Sequence, residues 1–412
     1  MIRLQGDPEV AAENSKPFDL IIVGAGMYAC GKGTNGYGTI LPAAFEACRR
    51  GWIKTIHIAA ATKKSADLAK EKAIQLKDLT KVSPEIHFYP KKDDDPHAYL
   101  CAAEKVGRPC AGIISVPDNL HFEITKALIQ KKIHVQVVKP LVSTVDENNT
   151  LIELKNQYGI YGCVEYHKRF DESNLKLYGL IRQGALGELL HFRINYSQRK
   201  LIPTTVFRNW VETTNVFQYL GVHYVDLIQF LTGAKPLRVM SMGMKKYLSG
   251  QGINTYDTIQ TLIEWQQDEG KGCFLSSHLT GWVDPNVSTA MSDQRLEVIG
   301  TRGRYRSDQK NRGVTLVTDD HGCEEINPYF CQFFQDIDGQ ALKINGYGPG
   351  SILQFINDCV NITNGKKSPA ELQGLRASFE SSLYIAMVLE ASAKSLAEGN
   401  TWISVNKSSA NS

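Results

Sequence analysis

The sequence lacks any pair of cysteines spaced as CxxC. Its nine cysteines, Cys30, Cys48, Cys101, Cys110, Cys163, Cys273, Cys323, Cys331 and Cys359, are scattered and odd in number. That distribution excludes a disulfide framework and a structural zinc site, and it predicts reduced, mostly buried thiols in a cytoplasm, with no metal. No apolar run reaches membrane-spanning length. The first nineteen residues, MIRLQGDPEVAAENSKPFD, carry acids and no apolar core, so they do not read as a secretory signal. A formal net charge of +3 over 412 residues leaves no broad basic face for nucleic acid. Internal repeats are absent, and low complexity is confined to the tail NKSSANS. At 42% hydrophobic and 22% charged residues the composition is that of a globular protein, and the length calls for two domains.

From Phe18 onward, strand-like and helix-like segments alternate. FDLIIVGAG, IKTIHIAAAT, PEIHFYP, CAGIISVP and IHVQVVKP read as strands, with helical patterns between them. Alternation of this length predicts a doubly wound parallel sheet over residues 17–165, a Rossmann dinucleotide-binding domain. The pattern then changes to long alternating segments joined by short polar turns, among them GELLHFRINYSQ, TYDTIQTLIEWQQD and GVTLVTDD. These predict a second, α+β domain over 166–405 built on a large, mostly antiparallel sheet. One helix, NVFQYLGVHYVDLIQFLTG, interrupts it, and the C-terminal helices are expected to pack back on the first domain.

The turn VGAGMYACGKGTNGYGTILPA follows a strand and precedes a helix. Gly24, Gly26 and Ala29 fit the GxGxxG/A fingerprint, in which the first glycine makes the tight turn and the second admits a pyrophosphate to the helix N-terminus. Residues are added before the helix, which is expected to start with Thr39 as N-cap, so Gly31, Gly33, Gly36 or Gly38 could serve as third glycine. The second strand ends in AAATKKS, with no acid for a ribose 2′-hydroxyl. Thr62, Lys63, Lys64 and Ser65 there suit a 2′-phosphate, which favours NADP over NAD as cofactor; an exposed lysine pair at a helix start is the alternative.

The stretch HVQVVKP delivers a lysine at the end of a buried strand. Ligands of open α/β sheets bind at that edge, so Lys139 is either part of a site or a surface residue.

At this point VGAG, SVPDNLHFEITKAL, HVQVVKPLVSTVDE, EYHKRFD, IRQGALGELL and YLGVHYVDLIQFLTGAKP resemble successive landmarks of the glucose-fructose oxidoreductase, inositol dehydrogenase and MocA (Gfo/Idh/MocA) family, over about residues 18 to 400. The resemblance implies an NAD(P)-dependent enzyme acting on a hydroxyl or carbonyl carbon of a sugar, sugar-nucleotide or cyclitol. It implies that Lys139 lies beside the nicotinamide and reacting oxygen, with His223 as its acid/base partner and Tyr219 assisting. Cofactor contacts would include Gly24, Gly26, Met27, Tyr28, Pro117, Asp118, His121 and Lys139. Tyr219, His223 and Asp226 recur at i, i+4 and i+7, one helix face, which makes Asp226 a candidate to orient the imidazole.

The motifs also depart from the family. Val138 stands where a Glu is usual, Tyr219 where many inositol dehydrogenases have Asp, and Asp118 where Asn is more common. Candidate substrate contacts are Arg169, Arg208, Asn209, Trp210 and Trp282, with His278 and Asn286 beside them. Arg169 reads equally as half of a structural ion pair. A homodimer or homotetramer is implied, since helices cover only one face of the second sheet. Two other functions stay open: a cofactor-bound regulator or scaffold without turnover, and NAD-assisted elimination or hydrolysis of a sugar.

Overall fold

The computed structural model describes residues 16–267, 272–320, 322–335, 339 and 341–405. Most of the leading segment and all of the NKSSANS tail, both judged on composition above, lie outside the described residues. Among the described residues no helix is long and apolar enough to cross a membrane.

Six strands form the first sheet: β1 Phe18–Val23, β2 Ile53–Ala59, β3 Glu85–Tyr89, β4 Cys110–Ile114, β5 His134–Val138 and β6 Gly162–Glu165. Their order is β3-β2-β1-β4-β5-β6, with every pair parallel. Parallel strands need crossover helices, which is why the Ile- and Val-rich runs are covered on both faces. Leu20 and Ile22 pack with Leu41 and Phe45 of helix Ile40–Arg49 and with Ile352 and Phe355 of helix Tyr347–Thr363. Ile21 and Val23 face the helices Ala98–Lys105, His121–Gln130 and Val145–Tyr158. Helix Tyr347–Thr363 thus helps cover the first sheet, although it lies far from it in sequence.

The glycine turn opens a single helical turn, Met27–Cys30, where the sequence had suggested only loop. Helix Ile40–Arg49 does begin after Thr39, but no side-chain cap bond forms; the Thr39 backbone N–H donates to Tyr28 O at 2.7 Å.

The second sheet comprises β7 Leu189–Arg199, β8 Lys235–Met244, β9 Thr258–Gln266, β10 Cys273–Asp284, β11 Ser292–Gly300 and β12 Arg304–Asp308. Its order is β12-β11-β7-β10-β9-β8, extended at β8 by the short strand Ile403–Ser404. All pairs are antiparallel except β7–β10, which is parallel. Period-two alternation buries Ile259, Thr261, Ile263 and Trp265 on one face of β9, as an antiparallel sheet covered on one side requires. GVTLVTDD is a correction: Val314–Thr318 pairs with Gly322–Ile326 in a separate two-stranded ribbon, outside the sheet.

The interrupting helix is also not uniform. A π turn, Phe217–Gly221, precedes the α-helix Val222–Thr232, which ends on Gly233 in the left-handed conformation. π turns disturb the regular ladder and recur at functional positions.

Candidate active site

Gly24 has φ +105°, and a Cβ there would stand 1.9 Å from the carbonyl oxygen of Ser115 at the end of β4. Only glycine fits, for the tight strand-to-turn approach that the fingerprint requires. Gly26 is different: a Cβ would meet nothing within 4 Å, so the backbone there faces open space. The added loop folds back on this turn, with Gly38 closely packed on Tyr28 and Ala29.

At the end of β2, Thr62 caps helix Lys63–Thr80 by accepting from the Ser65 N–H. Lys63 is drawn away: its ammonium pairs with Asp67 and its N–H donates to Asp94 Oδ1 at 2.8 Å. Lys64 is exposed. A residue that sequence reasoning missed takes the inner place, because Lys32 of the added loop donates to Ser65 Oγ at 2.9 Å. The nearest sign of it was a lysine in a glycine-rich insertion, and Asp94, far off in the sequence, gave none.

Lys139 follows β5 and is buried. Its Nζ donates to the Tyr219 carbonyl oxygen at 2.5 Å and lies 3.7 Å from the centre of the Tyr219 ring. Burial pushes the ammonium down to about 8, with Asp118 and Glu165 pulling it part of the way back. Asp118 accepts from Thr214 Oγ1 at 2.9 Å and Gln218 Nε2 at 3.0 Å, which ties the end of β4 to the segment leading into the π turn. The Tyr219 ring is also packed against Phe207, Trp210 and Trp282, and burial pushes its hydroxyl up, so it stays protonated.

His223 enters from the first turn of helix Val222–Thr232 and is buried, with Nδ1 lacking any hydrogen-bond partner. Burial, then the charges of Lys139, His167 and Lys168, hold its pKa well below that of an ordinary histidine. The ring is therefore neutral at physiological pH, able to accept a proton. His167 lies 4.7 Å away, ring centre to ring centre, and Tyr196 lies 6.2 Å away. Lys168 is a second buried lysine: Nζ donates to Gln294 Oε1 and, at 2.8 Å, to Gln309 Oε1, over the rings of Tyr196 and Tyr224. Burial pushes it down to about 7, against the pull of Asp171. Next to it in EYHKRF, Glu165 at the end of β6 accepts from His167 Nδ1 at 3.2 Å.

Several expected contacts resolve differently. Arg169 makes a two-pronged ion pair with Asp226, at 2.8 and 2.5 Å, so its guanidinium is not free for a substrate anion. Asp226 is by the same contact removed from orienting His223. His121 is buried with Nδ1 2.7 Å from Pro140 O and Nε2 3.0 Å from Val116 O, so both ring nitrogens are engaged by carbonyl oxygens and the ring braces the lysine turn. Trp282 is fully buried, its indole N–H donating to Gln198 Oε1 at 3.2 Å beneath Tyr219, and presents no face to a sugar. His278 is equally buried, bonded to Ser276 Oγ at 2.8 Å, and Asn286 Oδ1 accepts from the Leu201 N–H. Arg208 and Asn209 are exposed, with Arg208 3.8 Å from Glu212, and Trp210 is half-buried. Met27, Tyr28 and Pro117 are half-buried around the glycine turn and the end of β4. Among the described residues no cluster of three or more His, Cys, Asp or Glu side chains is placed to hold a metal.

A parallel sheet of this order, with its glycine turn and a lysine at the edge that meets a second, open sheet, defines a dinucleotide-binding unit joined to a second α+β unit. Residues 20–166 match the model of an oxidoreductase family with an NAD-binding Rossmann fold, and residues 175–306 match the GFO/IDH/MocA C-terminal domain. The chain belongs to the GFO/IDH/MocA family. It is 30% identical over 125 residues to scyllo-inositol 2-dehydrogenase (NADP(+)) IolW of Bacillus subtilis, covering 29% of this chain and 34% of that one. It is 22% identical over 213 residues to myo-inositol 2-dehydrogenase of Thermotoga maritima, covering 52% and 60%. The matches thus span about a third to three fifths of these relatives. In fold it is similar to scyllo-inositol dehydrogenase from Lactobacillus casei with bound NAD(H) and scyllo-inositol, with TM-score 0.66 and 17% identity over 95% of this chain and 99% of that chain.

Proposed function

We propose that the chain is an NAD(P)-dependent oxidoreductase that moves hydride between a nicotinamide and a CH–OH carbon of a cyclitol, sugar or sugar-nucleotide. The convergence of Lys139 and His223 carries this reading. Two buried groups from different layers, one a lysine held near neutrality and one a neutral imidazole, share one electrostatic cluster at the carboxyl edge of the parallel sheet. The nicotinamide supplies the hydride acceptor when bound. Lys139 steadies the developing negative charge on the substrate oxygen, His223 exchanges the hydroxyl proton at Nε2, and the Tyr219 ring and carbonyl position the ammonium. The names of the relatives, inositol dehydrogenases among them, support the substrate class.

NADP is the preferred cofactor in this reading, supported by the absence of an acid from the stretch AAATKKS and by Thr62, Lys64, Ser65 and Lys32 grouped there, with Asp94 and Asp67 both engaged by Lys63. The division at 165/166, a reducing cytoplasm and a homodimer or homotetramer belong to the same reading. Nine free cysteines support the second, and the outward face of the second sheet, where Met242, Met244, Leu275 and Leu279 are exposed, supports the third. The test is a fluorescence titration with NADPH and with NADH, repeated on Lys32→Ala/Lys64→Ala. Tighter NADPH binding that collapses in the double variant is expected; equal binding of both cofactors removes the 2′-phosphate assignment, and binding of neither removes the enzyme reading.

A further inference from the structure

The ribbon of Val314–Thr318 and Gly322–Ile326 lies beyond residue 306, outside the segment that matches the family's C-terminal domain. A two-stranded ribbon is marginal in water by itself and gains stability when another surface covers it. This one is exposed on both faces: Val314 and Leu316 point to one side, and Val317, 72% exposed, points to the other. From Val314 to Ile326 the chain carries Asp319, Asp320, Glu324 and Glu325 and no lysine or arginine. Glu325 is engaged at the base, where it pairs with Lys310 Nζ at 2.7 Å and accepts from Asn311 Nδ2 at 2.8 Å. Among the described residues the other three carboxylates have no ion-pair partner.

The opposite charge stands a short way back along the chain, on the outward face of the second sheet. Arg193 of β7 and Arg304 and Arg306 of β12 all close on one acid, Glu297 of β11, at 3.2, 3.5 and 2.9 Å. Three guanidiniums on one carboxylate leave a surplus of positive charge, and each is more than half exposed. Arg295 beside them is balanced by Asp293 and Asp308. Arg193, Arg306 and Glu297 line, with Asn195, Leu279 and Arg295, a hollow of about 590 Å³, and no residue of the chain's own ribbon lines it.

We propose that the acidic ribbon of one copy seats in the arginine hollow of a second copy, and the second copy's ribbon in the hollow of the first. One patch that bears both signs is self-complementary, as a twofold interface requires, because each copy both offers the ribbon and receives it. Seating sets Asp319, Asp320 and Glu324 against the surplus guanidiniums and brings Val314 and Leu316 to a face where Leu275 and Leu279 are exposed. This rests on the reading of the outward sheet face as an oligomer interface and is independent of the chemistry at Lys139 and His223.

The test follows association of the full chain by sedimentation velocity over a range of concentrations, with melting temperature and NADPH binding as checks on folding. Three variants are compared with wild type: Asp319→Lys/Asp320→Lys/Glu324→Lys, Arg304→Glu/Arg306→Glu, and both sets combined in one chain. Either set alone is expected to weaken association by roughly tenfold or more, because like charges then meet at the seat, and the combined chain to recover most of the loss. Wild-type association is itself expected to weaken with added salt, a readout that needs no variant. Association that ignores salt and both reversals, or a combined chain that associates no better than either set alone, overturns the seating and leaves the sheet-face interface standing. A change confined to the melting temperature shows that the ribbon serves its own chain and overturns the exchange. A wild type that stays monomeric at every concentration overturns the oligomer reading and the seating with it.

Discussion

The ammonium of Lys139 sits 2.5 Å from the carbonyl oxygen of Tyr219 and 3.7 Å from the centre of its ring. One residue ends a strand of the parallel sheet and the other lies in the π turn of the second unit, so the contact crosses the seam where the two sheets meet. A charged group held by one carbonyl and one aromatic face, with Asp118 and Glu165 acting only through space, is poised to give up its proton near neutrality.

That poise sets a pH dependence. The protonated ammonium steadies the charge on the reacting oxygen in both directions, so the rates of carbonyl reduction and of alcohol oxidation both fall as pH rises through about 8. Lys139→Arg carries a guanidinium that stays charged, so the limb near 8 disappears, and Lys139→Met lowers the rate by about 100-fold or more. Steady-state rates in both directions across the range check this.

Lys168 predicts a stability slope. Its folded pKa of about 7 lies below the 10.5 of an unfolded lysine, so the unfolded chain binds more protons between those values. The burial penalty is full below pH 7 and shrinks as pH rises. Lys168→Met removes the penalty and also strips a donor from Gln294 and Gln309, which fixes an offset but not the slope. The melting temperature of wild type relative to Lys168→Met is therefore expected to increase from pH 7 to pH 9; a constant difference would contradict the buried charge.

The Arg169–Asp226 pair predicts asymmetry between single and double variants. Removing one partner leaves a buried charge uncompensated, a loss of about 3–5 kcal/mol, whereas Arg169→Met with Asp226→Leu is expected to recover much of it. Denaturant unfolding of the three variants checks this. Additive losses would mean that the two side chains act independently.

Gly24→Ala meets two obstacles at once, a positive φ and the Ser115 carbonyl at 1.9 Å. The turn must shift, so NADPH binding is expected to be lost. Gly26→Ala meets no protein atom, so any loss of affinity there reports the ligand alone. Parallel titrations of the two variants check the contrast.

The first sheet was legible because its apolar runs and helix periods are local: β1, the Gly24 turn and the Thr39 boundary fall where the pattern places them. Lys139 and His223 stand out by motif, and both prove to be buried. What escaped were partnerships between distant segments. The structural ion pair was one of two readings of Arg169, but nothing near it names Asp226 as the partner, and nothing near Lys63 announces Asp94. His121 sits in a stretch that resembles a cofactor loop, yet its ring direction depends on the fold of the turn at Pro140. Glu165 was visible two residues before His167, but its other partner, Ser351, is brought back by helix Tyr347–Thr363. The π turn at Phe217–Gly221 has no signal in its sequence that separates it from an α-helix.

The most direct test of the central claim is nicotinamide reduction by the purified chain with scyllo-inositol and myo-inositol, supplied with NADP+ and separately with NAD+, in wild type, Lys139→Ala and His223→Ala. The account predicts turnover by wild type with at least one cyclitol, faster with NADP+, and loss in both variants with NADPH binding intact. Undiminished turnover in either variant, or firm NADPH binding with no turnover of any cyclitol or sugar, would contradict it.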